Sequence, residues 1–210
     1  MYLSDNELVS AIASGKLIFE PPPKSYDPSS IDLQLDRVDE AKIWDVEKLA
    51  KHHHLTGGLR PEVNIGQYNY SQFSKSFLVA PPEYDVRSEH LVQKRGNQVV
   101  VRRGGFVLWQ TLEKVGTPID DPELICFVNA KSTKARSGIM VHLTAPTIHP
   151  GWSGQITLEI ANVGPFDLVL QQGDIIAQLT VARITSSPKR QMASTSQTFG
   201  QQGVDGKAKL

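Results

Sequence analysis

Ile156-Thr157-Leu158-Glu159-Ile160-Ala161-Asn162-Val163-Gly164-Pro165-Phe166-Asp167-Leu168-Val169-Leu170-Gln171-Gln172-Gly173-Asp174-Ile175-Ile176-Ala177-Gln178-Leu179-Thr180-Val181 packs three short β-rich runs between close turn residues. The runs are Ile156-Thr157-Leu158, Leu168-Val169-Leu170 and residues 175–181. Upstream, Val99-Val100-Val101, Phe106-Val107-Leu108-Trp109 and Leu124-Ile125-Cys126-Phe127-Val128 repeat the pattern. Many short strands with Gly and Pro punctuation predict a sandwich, jelly roll or barrel rather than a βαβ sheet. The exception is residues 132–137, whose lysine, alanine and arginine favour one or two helical turns between strands.

Further out, Ser4 or Asp5 caps a short amphipathic helix with Glu7 behind it, and Leu8, Ile12 and Leu17 form its apolar stripe up to Gly15 and Lys16. Pro21, Pro22, Pro23 and Pro28 then block helix, and Ile31-Asp32-Leu33-Gln34-Leu35 alternates as a strand does. Within residues 40–75, residues 41–50 suit a helical turn or two, whereas His52-His53-His54 and Gly57-Gly58 suggest an exposed loop; residues 40–100 read as a variable insertion. Residues 186–210 are rich in Ser, Pro, Lys, Arg, Gln and Gly and bury no core, which predicts a flexible tail or an active-site lid. No internal repeat is present.

A chain of 210 residues accommodates one well-cored domain, placed at residues 1–185. Its 22 basic and 22 acidic side chains cancel, removing the global field that drives non-specific binding to nucleic acid or anionic membranes. Phosphate recognition must therefore be local. The lone Cys126 forms no internal disulfide, no apolar run reaches the roughly 18 residues of a membrane span, and Met1-Tyr2-Leu3-Ser4-Asp5 lacks the order of a signal peptide. The expectation is a soluble cytoplasmic protein.

Ala130-Lys131-Ser132-Thr133-Lys134-Ala135-Arg136-Ser137-Gly138 gathers cations and hydroxyls on a short helix following a strand. Helix-end amides, hydroxyls and an arginine fork suit phosphate oxygens, and the same composition reads equally as a solvated charged turn. In the next segment, a turn on Pro150, Gly151 and Gly154 leads into a strand where Glu159 stands among Ile156, Leu158 and Ile160. A carboxylate beside buried positions would have a raised pKa suited to proton transfer near neutrality. Alternatively, Glu159 points outward on the other face of the strand.

Ser132-Thr133-Lys134-Ala135-Arg136, Met140-Val141-His142-Leu143-Thr144-Ala145, Pro150-Gly151-Trp152-Ser153-Gly154 and Leu158-Glu159 resemble, in order and spacing, the bacterial dCTP deaminases. Residues 172–179 resemble a strand motif that these enzymes share with dUTPases, and Gln201-Gln202-Gly203 resembles the deaminases' C-terminal closing segment. The resemblance covers residues 1–36 and 105–205 and is poor between them. It implies an all-β distorted jelly roll of the dUTPase-like (β-clip) superfamily, with a short N-terminal helix and one short internal helix, assembled as a homotrimer with nucleotide sites between subunits.

It further implies hydrolysis of dCTP to dUTP and ammonia, the dUTP serving thymidylate synthesis. Glu159 would be general base and proton shuttle, with Ser132, Arg136 and the backbone of Ala145 holding the water and the base. Lys131, Ser132, Thr133, Arg136, Val141, His142, Thr144, Trp152, Gln178 and Gln201 would bind a nucleotide accompanied by Mg2+. Zinc is not expected: a zinc deaminase needs paired cysteines, and the chain has one.

Three departures qualify the match. Lys131 stands where the family usually has arginine, losing the bidentate fork. His149 stands where it generally has an aspartate, the residue with which dUTPases activate water; this argues against the two other enzymatic readings, a dUTPase or a bifunctional dCTP deaminase/dUTPase. Gln197, Thr198 and Phe199 stand where basic and aromatic residues precede the closing glutamine. A reading from another class is a non-catalytic deoxynucleotide sensor. Elsewhere, His52-His53-His54 are consecutive and so converge poorly on a metal, His142 also fits a satisfied core histidine, Cys126 reads as inert and Trp109 as core.

Overall fold

The short β-rich runs of the sequence form strands in the computed structural model. It describes residues 1–54, 60–189, 201, 203 and 204. In chain order the elements are α1 (Asp5–Ala13), β1 (Ile18–Glu20), β2 (Ile31–Gln34), β3 (Ile43–Trp44), α2 (Val46–His52), α3 (Tyr70–Phe77), β4 (Leu78–Val79), β5 (Val92–Arg95), β6 (Gln98–Val101) and β7 (Phe106–Gly116). They continue with β8 (Leu124–Ala130), α4 (Ser132–Ala135), β9 (Ile139–Val141), β10 (Thr147–Ile148), β11 (Ser153–Asn162), β12 (Leu168–Gln171) and β13 (Ile175–Arg183).

Two antiparallel four-stranded sheets, ordered β1-β7-β11-β9 and β10-β8-β13-β2, carry the framework. One apolar core joins them, with Trp109, Leu158 and Ile160 from the first sheet and Leu33, Val128 and Leu179 from the second. Smaller antiparallel sheets, β12-β6-β5 and β3-β4, flank this sandwich. At the N-terminus of α1, Glu7 accepts from the Ser4 amide at 3.1 Å, and Gly15 follows its end with φ 72, the left-handed conformation that favours glycine. No helix among the described residues is long and apolar enough to cross a membrane.

The expectation of one internal helix is corrected: α2 and α3 accompany α4. Asp45 caps α2 by accepting from the Lys48 amide at 2.8 Å, and Asn69 caps α3 by accepting from the Gln72 amide at 3.1 Å. Phe73 and Phe77, one turn apart on α3, stack at 4.8 Å, and Phe73 meets the ring of Trp44 edge-on at 5.4 Å. These short caps and one aromatic cluster stabilise helices that lack a long periodic stripe. The expected loop at the histidines is also partly corrected, since His52 ends α2 and its ring lies 5.7 Å from Phe77. Gly57 and Gly58 lie outside the described residues.

Candidate active site

β11 sets the site by alternation. Ile156, Leu158 and Ile160 enter the core, so Gln155, Thr157 and Glu159 share the opposite face. The carboxylate therefore stands on the outer face of its strand, with 34% of its side chain exposed, and the premise of a core-facing Glu159 is replaced by its alternative. β9 pairs with β11 at Ile160 to Asn162, which brings the next residue, His142, beside Glu159. The His142 amide donates to the Glu159 carbonyl at 3.0 Å, and its Nδ1 stands 2.9 Å from Glu159 Oε2. This second approach is an ion-pair distance outside hydrogen-bond geometry, since Nδ1 is buried without a hydrogen-bond partner.

β9 leaves the edge of β11 unpaired over residues 153–158, and Gln201 bonds there to Gln155. The Gln155 amide donates to the Gln201 carbonyl at 2.9 Å, and Gln201 Nε2 donates back to the Gln155 carbonyl at 3.2 Å and to Thr157 Oγ1. Gln201 is 3% exposed, so its side-chain amide is sequestered on the face that carries Glu159. Glycine is required beneath it: a Cβ on Gly154 would stand 2.8 Å from the Gln201 carbonyl oxygen and 3.0 Å from the ring of Trp152. Gly154 is thus a strand residue selected by close approach, whereas Gly151, with φ 81, makes the turn.

A second polar cluster gathers where β2, β8 and β13 meet. Lys131 Nζ lies 2.5 Å from Asp32 and 2.9 Å from Asp27, and these bonds hold its ammonium above the usual lysine range. Ser30 Oγ donates to Gln178 Oε1 at 3.3 Å beside them. On β8, burial pushes the Cys126 thiol up to about 12, so it carries no thiolate at neutral pH.

A family model described as dCTP deaminase-like matches residues 2–184. The chain belongs to the dCTP deaminase-like family. It is 32% identical over 207 residues to the protein named dCTP deaminase, dUMP-forming, of Mycolicibacterium vanbaalenii, covering 98% of this chain and 93% of that relative. It is 27% identical over 198 residues to a Halorubrum lacusprofundi protein named dCTP deaminase, covering 90% of this chain and 81% of the relative. Among solved structures, the 2'-deoxycytidine 5'-triphosphate deaminase from Agrobacterium tumefaciens superposes with a TM-score of 0.53 at 20% identity. That match covers 87% of this chain and 47% of the other, so the chain spans about half its length, and it shows the all-β dUTPase-like fold.

Of the residues that the family resemblance picks out, His142, Glu159 and Gln201 lie along one face or edge of β11. Trp152 packs beside them at Gly154. Lys131 and Gln178 belong to the second cluster. Ser132 and Thr133 open α4 and Arg136 ends it, all three exposed; Thr144 and Ala145 are exposed in the loop after β9, and Val141 is buried at the end of that strand. Among the described residues no bond links Ser132, Arg136 or Ala145 to Glu159. His149 is exposed, and its carbonyl accepts from the Trp152 amide at 3.1 Å. Gln197, Thr198 and Phe199 lie outside the described residues, and no group of three or more His, Cys, Asp or Glu among the described residues is placed to hold a metal. Gln155, Thr157, Asp27 and Asp32 were missed as partners, although the polar alternation of 155, 157 and 159 was a usable signal.

Proposed function

We propose that the protein deaminates dCTP hydrolytically to dUTP and ammonia, with Glu159 as general base and proton shuttle. The observation carrying this reading is a carboxylate on the outer face of β11, held by His142, in a chain of the dCTP deaminase-like family. Glu159 takes a proton from water as the oxygen adds to C4 of cytosine, and that proton passes to N3. The second proton of the attacking oxygen goes, through the same carboxylate, to the exocyclic nitrogen. The C4–N bond then breaks, ammonia leaves and a C4 carbonyl with N3–H remains.

Ser132, Arg136 and the Ala145 backbone hold the water and the base, and Trp152 packs by the sugar. The triphosphate enters as its magnesium complex and meets Lys131, Thr133 and the amides of α4. The exposure of Ser132 and Arg136, away from any bond to Glu159, supports a site completed by a neighbouring subunit of a homotrimer. No zinc is assigned a role, because the only cysteine is a buried, protonated core thiol.

The test is ammonia release and chromatographic resolution of products from dCTP and magnesium, with Glu159→Gln alongside. Accumulating dUTP with an inactive variant supports the reading. A protein that binds dCTP and releases no ammonia overturns it in favour of a sensor. A second reading, release of dUMP and pyrophosphate, is favoured by the dUMP-forming relative that covers nearly the whole chain. It is opposed by His149, and the same chromatogram decides between the two.

A further inference from the structure

The insertion before β5 has no part in the chemistry above, yet it touches the segment that lies over β11. Tyr70, the first residue of α3, donates its phenolic hydroxyl to the carbonyl of Val204. Val204 is 2% exposed, an apolar side chain buried beside this contact. Three residues earlier, Gln201 is bonded to Gln155 and Thr157. The segment is therefore fastened at two points, on β11 and on α3.

The α3 end is a firm support. Trp44 meets the Tyr70 ring edge-on at 6.3 Å and 90°, and Trp44 in turn packs on Phe73. β3 and β4 pair at the base of this cluster, with Trp44 opposite Leu78. Asn69 caps the helix on which Tyr70 stands. The phenol is thus aimed by a packed aromatic group, and its oxygen reaches the tail backbone at Val204.

We propose that Tyr70 is a positioning residue, a latch through which the insertion holds Val204 and so keeps the Gln201 amide on the face of β11 that carries Glu159. This inference rests on the deaminase reading for its effect on catalysis, but the latch itself does not. Losing it lowers the fraction of molecules with Gln201 seated. Apparent nucleotide affinity falls with that fraction, while turnover at saturation persists because bound nucleotide restores the seated state. A purely structural role of Tyr70 would instead lower kcat through loss of folded protein and leave KM unchanged.

The experiment uses the full chain carrying Tyr70→Phe, Gln201→Ala and both. Tyr70→Phe keeps the ring and the aromatic cluster, so folding is preserved. Without nucleotide, hydrogen exchange is read at the Gln155 amide, which is protected by the Gln201 carbonyl. Removing the latch speeds that exchange about fivefold, the effect of one net hydrogen bond. With dCTP, KM rises about fivefold at unchanged kcat, and the two substitutions are non-additive because both act on one segment. Unchanged Gln155 exchange in Tyr70→Phe, or additive effects on KM, overturns the latch. If exchange accelerates but the wild-type chain releases no ammonia, the latch stands and the deaminase reading fails.

Discussion

His142 and Glu159 are joined twice, by a backbone hydrogen bond of 3.0 Å and by the 2.9 Å approach of Nδ1 to Oε2. The backbone at His142 is left-handed, with φ 59, a conformation that histidine and asparagine tolerate better than β-branched residues. The imidazole thus stands beside the carboxylate from a position that few side chains can occupy. His142→Asn keeps the backbone and loses the ring: kcat falls about ten- to a hundredfold, with thermal stability little changed. His142→Val adds a stability loss of about 1–2 kcal/mol from backbone strain. Steady-state kinetics and thermal unfolding of both variants check this, and wild-type turnover in His142→Asn would remove the orienting role.

Gly154 and Gln201 supply the next prediction. In Gly154→Ala the new methyl meets the Gln201 carbonyl at 2.8 Å and the Trp152 ring at 3.0 Å. Trp152 is a buried member of the core, so the tail yields first. The expected outcome is faster exchange of the Gln155 amide and a KM for dCTP raised about tenfold, with the unfolding temperature within about 3 °C of wild type. A large fall in melting temperature at unchanged KM would show that the ring moves instead.

Lys131 is held by Asp27 and Asp32, and these carboxylates compete with a phosphate for its ammonium. Lys131→Met leaves two carboxylates facing each other, lowering stability by about 1 kcal/mol, or about 2–4 °C. The same variant raises KM about tenfold if the ammonium meets the triphosphate. Asp27→Asn, by easing the exchange, lowers KM about two- to threefold. If neither substitution moves KM while the melting temperature still falls, the cluster serves the fold alone.

Much of this was legible in the sequence because short β-rich runs between turn residues are a local signal. The runs at Val99, Phe106, Leu124, Ile156, Leu168 and Ile175 all became strands, and residues 132–137 gave α4. The helical turn read within residues 41–50 appears as α2, whereas α3 escaped because a short helix with a single-residue cap carries little periodicity, and Trp44, Phe73 and Phe77 meet across the chain to stabilise it. Glu159 was identified as the special carboxylate while its face remained open, since a strand glutamate beside Leu158 and Ile160 fits either side until pairing fixes which is inward. The bond of Tyr70 to Val204 spans most of the chain, and no local pattern announces it.

A buried carboxylate on β7, that of Glu113, gives a prediction about pH. Burial raises the Glu113 carboxyl above its ordinary value of 4.5, outweighing the bonds that Gln34 donates to it, and nearby Asp36 adds to the rise. A carboxyl whose folded pKa exceeds its unfolded one keeps its proton longer in the native state. Its stabilising contribution is complete below pH 4.5 and is lost as pH rises through the folded value. Glu113→Gln cannot ionise, so the melting temperature of the variant relative to wild type increases as pH rises above 4.5. Every other titrating group contributes to both proteins, so the difference between the two melting curves from pH 4 to pH 8 isolates this carboxyl. Parallel curves would place the pH dependence of the fold elsewhere.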